Sequence, residues 1–344
     1  MNPLATIMFL TSLIIGTIIT LSSSHWLLAW IGLEINTLAL IPMMTKMPHP
    51  RAIEAATKYF LTQAAASALM LFSCLINALQ TGEWNIYTPP NLMTNALFLA
   101  LMMKLGLAPL HFWLPEVLQG ISLPTGLILS TWQKIPPMII LFQISPSIDL
   151  NLTAILSFTS ILIGGWGGTG QTQLRKIMAF SSIGHLGWII LILKFNPQIS
   201  LFSFILYVIM TTAMFISLII TSSTKMAQIS TSWAKNPTMA ATIMFILLSL
   251  AGLPPLTGFL PKLLITIELM KQNMVIFTTL IMMASLLALF FYLRLTYIVT
   301  LTLPPNTSNS LTTWRASTKP YLMHAVINAT ALIMLPVAPT VLTL

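Results

Sequence analysis

Gly106-Leu107-Ala108-Pro109-Leu110-His111-Phe112-Trp113-Leu114-Pro115 returns later in the chain as Gly252-Leu253-Pro254-Pro255-Leu256-Thr257-Gly258-Phe259-Leu260-Pro261. Each copy sets a helix-breaking glycine and prolines inside an otherwise apolar stretch. In a bilayer the backbone groups freed by such a break cannot face lipid, so they must line protein or a wet cavity. A lysine accompanies each copy: Lys104 stands two residues before the first, Lys262 directly after the second. Paired interruptions in corresponding positions of two halves mark a transporter built from inverted repeats, with the ion path at the breaks.

The surrounding composition fits that setting. Of 344 residues, 56% are hydrophobic and 6% charged, against about 25% charged in a soluble domain. The mean hydropathy is +0.91. Apolar stretches near the roughly 20 residues that cross a bilayer as helix follow one another with no hydrophilic domain between them. The function is therefore carried out within the membrane. The formal charge of +9 comes from fifteen Lys and Arg scattered over these stretches; they form no basic stripe, which excludes nucleic acid as a partner. A lone Cys74 excludes an internal disulfide or a cysteine-ligated iron–sulfur cluster, and the five histidines show no metal-ligand spacing. No metal or redox centre is expected in this chain. Met1-Asn2-Pro3 leads into the first apolar stretch without the basic region of a cleaved signal, so that stretch is expected to be retained.

Eleven helices are predicted: 3–22, 25–44, 52–79, 93–118 (broken), 124–143, 152–170, 174–193, 199–222, 238–270 (broken), 275–300 and 321–341. The clearest connections are rich in proline and asparagine, as in Met47-Pro48-His49-Pro50, Thr88-Pro89-Pro90-Asn91 and Pro304-Pro305-Asn306. The expected fold is an all-α polytopic membrane protein forming one transmembrane domain over 1–344. Its candidate repeats are spans one to five (about 1–145) and six to ten (about 150–300), with an extra span at about 320–341. The broken fourth and ninth spans lie five apart and so run in opposite directions. With this count, Lys46, Arg51, Arg175, Lys176, Lys225, Lys235, Arg315 and Lys319 fall on one side, while Lys194 and Lys271 share the other with Glu83 and Asp149. The positive-inside rule then places the N-terminus in the inner compartment, and the odd count places the C-terminus outside.

A charged side chain at mid-bilayer costs about 2.5 to 3.5 kcal/mol, so structure alone rarely keeps several. Glu34 sits ten residues into the second span, in Trp30-Ile31-Gly32-Leu33-Glu34-Ile35-Asn36. It reads either as half of a structural ion pair or as a proton relay. Lys104 is flanked by apolar residues beside the first break. Burial favours a neutral amine and a nearby carboxylate such as Glu34 favours the ammonium, which makes a lysine so placed a switchable proton site. Lys134 stands before Pro136 and Pro137, a pair expected to kink the fifth span and free carbonyls for water. Lys262 follows the second break. For all three lysines the plainer reading is a cap on a freed helix end. His185, in the seventh span, reads as a satisfied core histidine or as a relay in a water chain. Corresponding spans pair Glu34 with His185, and Lys134 with Arg294. Glu116, after Pro115, is a candidate for binding a neighbouring chain or gating the path. Lys46, Arg51, Lys58, Lys225, Lys235 and Lys319 lie near helix ends, where snorkelling explains them.

Gly165-Trp166-Gly167-Gly168-Thr169-Gly170 matches the dinucleotide pattern G-x-G-x-x-G. That reading requires a preceding strand and an acidic residue about twenty positions on. The run instead follows an apolar helix, and no Asp or Glu occurs between Asp149 and Glu268. Close helix packing and a turn account for it.

These motifs together carry a resemblance. Trp30 to Glu34, Lys58-Tyr59-Phe60-Leu61-Thr62-Gln63-Ala64, Lys104 to Glu116, Gln171-Thr172-Gln173-Leu174-Arg175-Lys176-Ile177-Met178-Ala179 and Ala251 to Lys262 are similar to the vertebrate, mitochondrially encoded subunit 2 type of NADH dehydrogenase. This is an antiporter-like subunit family of respiratory complex I, the NADH-ubiquinone oxidoreductase. The similarity runs essentially over the full length. Thr169-Gly170 departs from the Leu-Asn usual there, at a loop. The resemblance implies a central hydrated axis on which Glu34 pairs with Lys104, Lys134 follows and leads to Lys262, and His185 occupies a polar position. Gly106, Pro109, Pro136, Pro137, Gly252, Pro254 and Pro255 form the helix breaks. It further implies the mitochondrial inner membrane, with the N-terminus on the matrix side and the C-terminus in the intermembrane space. The implied partners are other membrane-arm subunits, including neighbouring antiporter-like ones, and phospholipids such as cardiolipin. NADH, FMN, iron–sulfur clusters and ubiquinone would belong to the whole complex, with no cofactor in this chain. The rival readings are a free-standing cation/proton antiporter and a purely structural membrane scaffold.

Overall fold

The structure, a computed structural model, describes residues 3–46, 49–86, 92–235, 237–301 and 322–336. The connections read at 47–48, 88–91 and 304–306, together with Arg315, Lys319, the side chain of Lys235 and the last predicted helix beyond residue 336, lie outside the described residues. The elements in order are α1 (Pro3–Ser22), α2 (Trp26–Met44), α3 (Pro50–Thr81), α4 (Leu92–Leu105), α5 (Trp113–Gly120), α6 (Leu123–Ser130), a 3-10 turn (Trp132–Lys134), α7 (Ile135–Ile144), α8 (Leu150–Thr169), α9 (Leu174–Leu193) and α10 (Pro197–Thr221). They continue with α11 (Met226–Ser230), α12 (Ser232–Lys235), α13 (Pro237–Ala251), α14 (Phe259–Lys271), α15 (Val275–Leu301) and α16 (Leu322–Ile333). Among the described residues, eight segments are long and apolar enough to cross a membrane, and three shorter apolar helices begin the two broken spans and form the last one.

Local chemistry sets the helix ends. The ring nitrogens Nδ1 of His25 and His49 accept from the backbone N–H groups of Leu27 and Arg51, each at 3.2 Å, capping α2 and α3. Pro50 opens α3, where a missing N–H costs nothing. At 32 residues, α3 is about 48 Å long, well beyond the roughly 30 Å of hydrocarbon. Its first turns, with Arg51, Glu54 and Lys58, thus have length to spare for the interface.

Three features differ from the expectation. The fifth span is not simply kinked at its prolines: α6 stops at Ser130, the 3-10 turn carries Gln133 and Lys134, and Pro136 and Pro137 lie in the first turn of α7. Proline there lacks the N–H groups that would have bonded Trp132 and Gln133, so the helix cannot run through. The last helix ends at Ile333 rather than 341, with Pro336 just beyond it; the residue before a proline is pushed out of helical geometry. Two short helices, α11 and α12, follow α10 and were not expected.

Contacts group the chain into two compact units, Met1–Ser160 with Leu193–Pro197 and Ile161–Ile192 with Gln198–Leu344. In the first unit, α1 and α2 cross through small residues. A Cβ on Gly16 would fall 2.6 Å from Asn36 Oδ1, and one on Gly32 would fall 2.6 Å from Thr20 Cγ2. Backbones approach this closely only where side chains are small. In the second unit, the glycines of α8 do the same work: Gly164 faces the backbone of Gly184, Gly167 the ring of Phe180 and Gly168 the ring of Phe291.

Both units also repeat one piece of backbone pairing. In the first, an isolated bridge joins His25 to Asn85, with Trp26 N donating to Trp84 O at 3.1 Å and Ile86 N to Ser24 O at 3.1 Å. In the second, Gln173 bridges Lys225, with Leu174 N donating to Thr224 O at 3.1 Å and Met226 N to Thr172 O at 3.3 Å. Each bridge ties the entry of a unit's second helix to the exit of its third. Counted from the bridge residues, Glu34 falls at the position of Ser182, and His185 one turn further on.

Candidate functional site: two broken helices and their lysines

The doubled phrase folds into a doubled turn. Gly106 (φ 75°) and Gly252 (φ 79°) occupy the left-handed region, which glycine enters without a Cβ penalty. Gly106 N donates to Met103 O at 3.2 Å and Leu107 N to Met102 O at 3.1 Å. Gly252 N donates to Ser249 O at 2.9 Å and Leu253 N to Leu248 O at 3.4 Å. Both pairs form the Schellman closure, which satisfies carbonyls that a helix end would otherwise leave bare. The Ala108–Pro109 and Pro254–Pro255 peptides are cis. The chain re-enters helix the same way in each copy, with Leu114 N donating to His111 O at 3.0 Å and Leu260 N to Thr257 O at 3.1 Å.

The two lysines do not occupy matching places in this repeat. Lys104 lies in the last turn of α4, before the break, where a cation complements the helix dipole. Lys262 lies in the first turn of α14, after the break; the register of the two copies matches Lys104 with Leu250 and Lys262 with Glu116. Lys262 Nζ reaches back to donate to Ala251 O at 2.7 Å, so it caps the freed end of α13. Lys104 caps nothing: its side chain is buried, and Nζ has no hydrogen-bond partner among the described residues.

Around Lys104 the first unit gathers further polar groups. Glu34, half-buried on α2, lies within electrostatic reach of both Lys104 and Tyr59. Its Oε2 has no hydrogen-bond partner among the described residues, so the carboxylate and the amine are near without being locked together. Tyr59, fully buried on α3, accepts at Oη from Gln133 Nε2 at 3.0 Å, and Gln133 precedes the buried Lys134 in the 3-10 turn. Trp113 Nε1 donates to Met103 O at 3.1 Å and its ring packs against Tyr59, which ties the two arms of the first break to α3. Glu34, Tyr59, Gln133 and Lys104 thus belong to one polar group in an apolar interior, with the buried Lys134 following Gln133 in the chain. Tyr59 and Gln133 were not singled out in the sequence. The interruption ahead of Pro136 was the available signal for Gln133.

The second unit places His185 on α9, its Nε2 3.4 Å from Tyr292 Oη on α15 and its ring against Tyr207 of α10. Arg294 donates to Thr169 O, closing the C-terminus of α8. Lys58 is not a simple snorkelling side chain: Nζ contacts Glu54 and Glu116 carboxylates, each at 2.6 Å. All three side chains are about half exposed, so solvent screens both pairs and they add little to stability. Among the described residues no cluster of three His, Cys, Asp or Glu side chains forms a metal centre.

Comparison with known proteins places this arrangement. Residues 23–288 match the family model of the NADH:quinone oxidoreductase/Mrp antiporter transmembrane region, and residues 289–342 match that of the NADH dehydrogenase subunit 2 C-terminus. The chain is 71% identical to NADH-ubiquinone oxidoreductase chain 2 of Aquarana catesbeiana over 344 residues, covering 100% of both sequences. It is 58% identical to the chain of the same name from Xenopus laevis, again covering 100% of each. A chain in the structure of respiratory complex I from Thermus thermophilus with bound aureothin has a similar fold, with a TM-score of 0.83 and 26% identity, covering 98% of this chain and 80% of that one. With full-length identity far above what shared fold alone requires, the chain belongs to the NADH-ubiquinone oxidoreductase chain 2 family, within the wider group of NADH:quinone oxidoreductase and Mrp antiporter membrane subunits.

Proposed function

We propose that the chain is a core membrane-arm subunit of respiratory complex I, contributing to proton translocation coupled to electron transfer from NADH to ubiquinone. The observation that carries this is the pair of broken helices, each with a lysine at its break, in a chain of this family. The chemistry asked of these residues is limited to protons. Lys104, Lys134 and Lys262 gain and lose a proton; Glu34 supplies a carboxylate whose charge sets when Lys104 holds one. Tyr59 and Gln133 link the Glu34 region to the turn bearing Lys134. The prolines and glycines of the breaks open the backbone so that water reaches these groups. Electron transfer stays with other subunits, which carry NADH, FMN, the iron–sulfur clusters and the ubiquinone pocket.

The finer features of this reading are likewise proposals. The units correspond to inverted repeats of about 1–145 and 150–300. The N-terminus lies on the matrix side of the mitochondrial inner membrane and the C-terminus on the intermembrane-space side. Neighbouring antiporter-like subunits and phospholipids such as cardiolipin cover the outward apolar faces, which include Leu4, Ile7, Met8 and Ile18 on α1 and Ile276, Met283 and Phe290 on α15. These side chains face outward in numbers that only lipid or a partner subunit accommodates.

Native electrophoresis in mild detergent tests the partner requirement: the chain should run only within a large assembly, and a stable monodisperse monomer that exchanges cations when reconstituted alone would favour the free antiporter. Topology is tested separately. Single cysteines at Arg51 and Asp149, in a chain with Cys74→Ala, should label from opposite faces of sealed vesicles, with Arg51 on the matrix side. Labelling of both from one face would overturn the span count.

A further inference from the structure

Beside Lys262 the second unit holds a cavity of about 20 Å³, walled by Phe180 and Phe291 and reached by the side chains of Lys262, His185, Tyr292, Ser181 and Ser285. A water needs about 10 to 15 Å³ of such space and two to four polar partners; the cavity has room for one water, and its largely apolar lining includes Lys262, His185, Tyr292 and two serines as candidate partners. The two serines can act only as acceptors for a further partner, because each spends its own proton on its helix: Ser181 Oγ donates to Met178 O at 2.8 Å and Ser285 Oγ to Met282 O at 2.8 Å. Tyr292 is buried, lies in hydrogen-bonding reach of Ser181, and brings Oη to 3.4 Å from His185 Nε2. That separation is at the long limit for a hydrogen bond, as relay contacts often are before the proton moves.

We propose that this cavity binds a single water and that Tyr292 is a relay residue joining it to His185, so that Lys262 exchanges protons with α9 through Lys262, water, Tyr292 and His185 in turn. The inference rests on the proton-translocating reading above. In the outward step an N–H bond of the Lys262 ammonium breaks and an O–H bond forms on the water. The water gives one of its original protons to Tyr292 Oη, and Tyr292 gives its own hydroxyl proton to His185 Nε2. Lys262 ends as a neutral amine and His185 as an imidazolium, while water and phenol both end neutral.

Gly184 offers a specific test. It lines the cavity, and a Cβ built on it meets nothing within 4 Å. Gly184→Ala therefore takes the space of the water without touching a polar group, and alanine favours the helix it sits in. Complex assembled with Gly184→Ala, Tyr292→Phe, Tyr292→His or Lys262→Met is reconstituted into vesicles, and quinone-linked turnover, proton uptake and the solvent isotope effect are measured per assembled complex. Gly184→Ala and Tyr292→Phe should each lower turnover and uptake about tenfold or more and raise the solvent isotope effect, since a proton step becomes limiting. Tyr292→His, which keeps a donor and acceptor, should recover a large part of the loss. If Tyr292→Phe fails to assemble, Gly184→Ala decides alone. Turnover within twofold of the parent in Gly184→Ala, with Lys262→Met stalled, overturns the relay and leaves the proposed function standing. Parental pumping in Lys262→Met overturns both.

Discussion

Complex carrying Lys104→Met is expected to oxidise NADH with artificial acceptors at the parental rate while losing about nine-tenths or more of its quinone-linked turnover and proton pumping. Artificial acceptors take electrons before they reach this chain's territory, so that activity reports assembly alone. The amine of Lys104 gains and loses a proton and a thioether does neither, yet methionine has similar reach and suits the apolar surroundings. Lys104 Nζ makes no hydrogen bond among the described residues, so none of that kind is lost on substitution. Glu34 is near the lysine without being hydrogen-bonded to it among the described residues, so the substitution breaks no locked ion pair. Assembly should therefore be retained. Lys262→Met should stall pumping as strongly but assemble slightly less well, because it also removes the bond to Ala251 O, a loss of about 1 kcal/mol. Lys46, exposed at the end of α2, is the control: Lys46→Met should pump nearly as the parent does. Full pumping in both Lys104→Met and Lys262→Met at equal assembled complex would leave the scaffold reading in place.

Gly258→Ala should deplete the assembled complex severely, by destabilising the second break on the order of 3 kcal/mol. Gly258 is in ordinary right-handed geometry, with φ −67° and ψ −15°, so its backbone would tolerate any residue. Space forbids it: a Cβ there would overlap the carbonyl oxygen of Ser249, the same oxygen that accepts from Gly252 in the Schellman turn. Alanine would have to push α13 away from the start of α14 and loosen the turn that presents Lys262. The matching position of the first copy holds Phe112, which is 72% exposed, so the local phrase itself does not demand glycine. Gly170→Ala, where an added Cβ meets nothing within 4 Å, should leave assembly unchanged. Complex abundance on native gels, measured for the two alanine variants side by side, checks the contrast; equal abundance would mean that the break relaxes far more easily than its packing indicates.

The sequence by itself determined the class of fold and the location of its special points. Apolar stretches of bilayer length leave no other solution for a backbone that must satisfy its own hydrogen bonds in lipid. Glycine and proline in a repeated order dictate a repeated turn because their restrictions are local: Gly106 and Gly252 adopt matching left-handed geometry and matching hydrogen bonds although the intervening chains differ. A charge in mid-span is conspicuous for the same local reason, which is why Glu34, Lys104, Lys134 and Lys262 stand out in the sequence alone.

Tertiary structure decided what each of those groups touches. Lys104 and Lys262 carry the same signal in the sequence, a lysine beside a break, yet among the described residues one is left without a hydrogen bond and the other caps α13. The difference follows from which side of the turn each occupies and how far its side chain reaches back. Tyr59 and Gln133 meet across 74 residues of chain, and Tyr292 meets His185 across 107. Nothing in a tyrosine's immediate neighbours distinguishes one that fills a core from one whose hydroxyl completes a polar path. Burial and hydrogen bonding are properties of the packed helices, and a hydroxyl buried at such a distance from its partner in sequence is positioned only when the helices between them have closed around it.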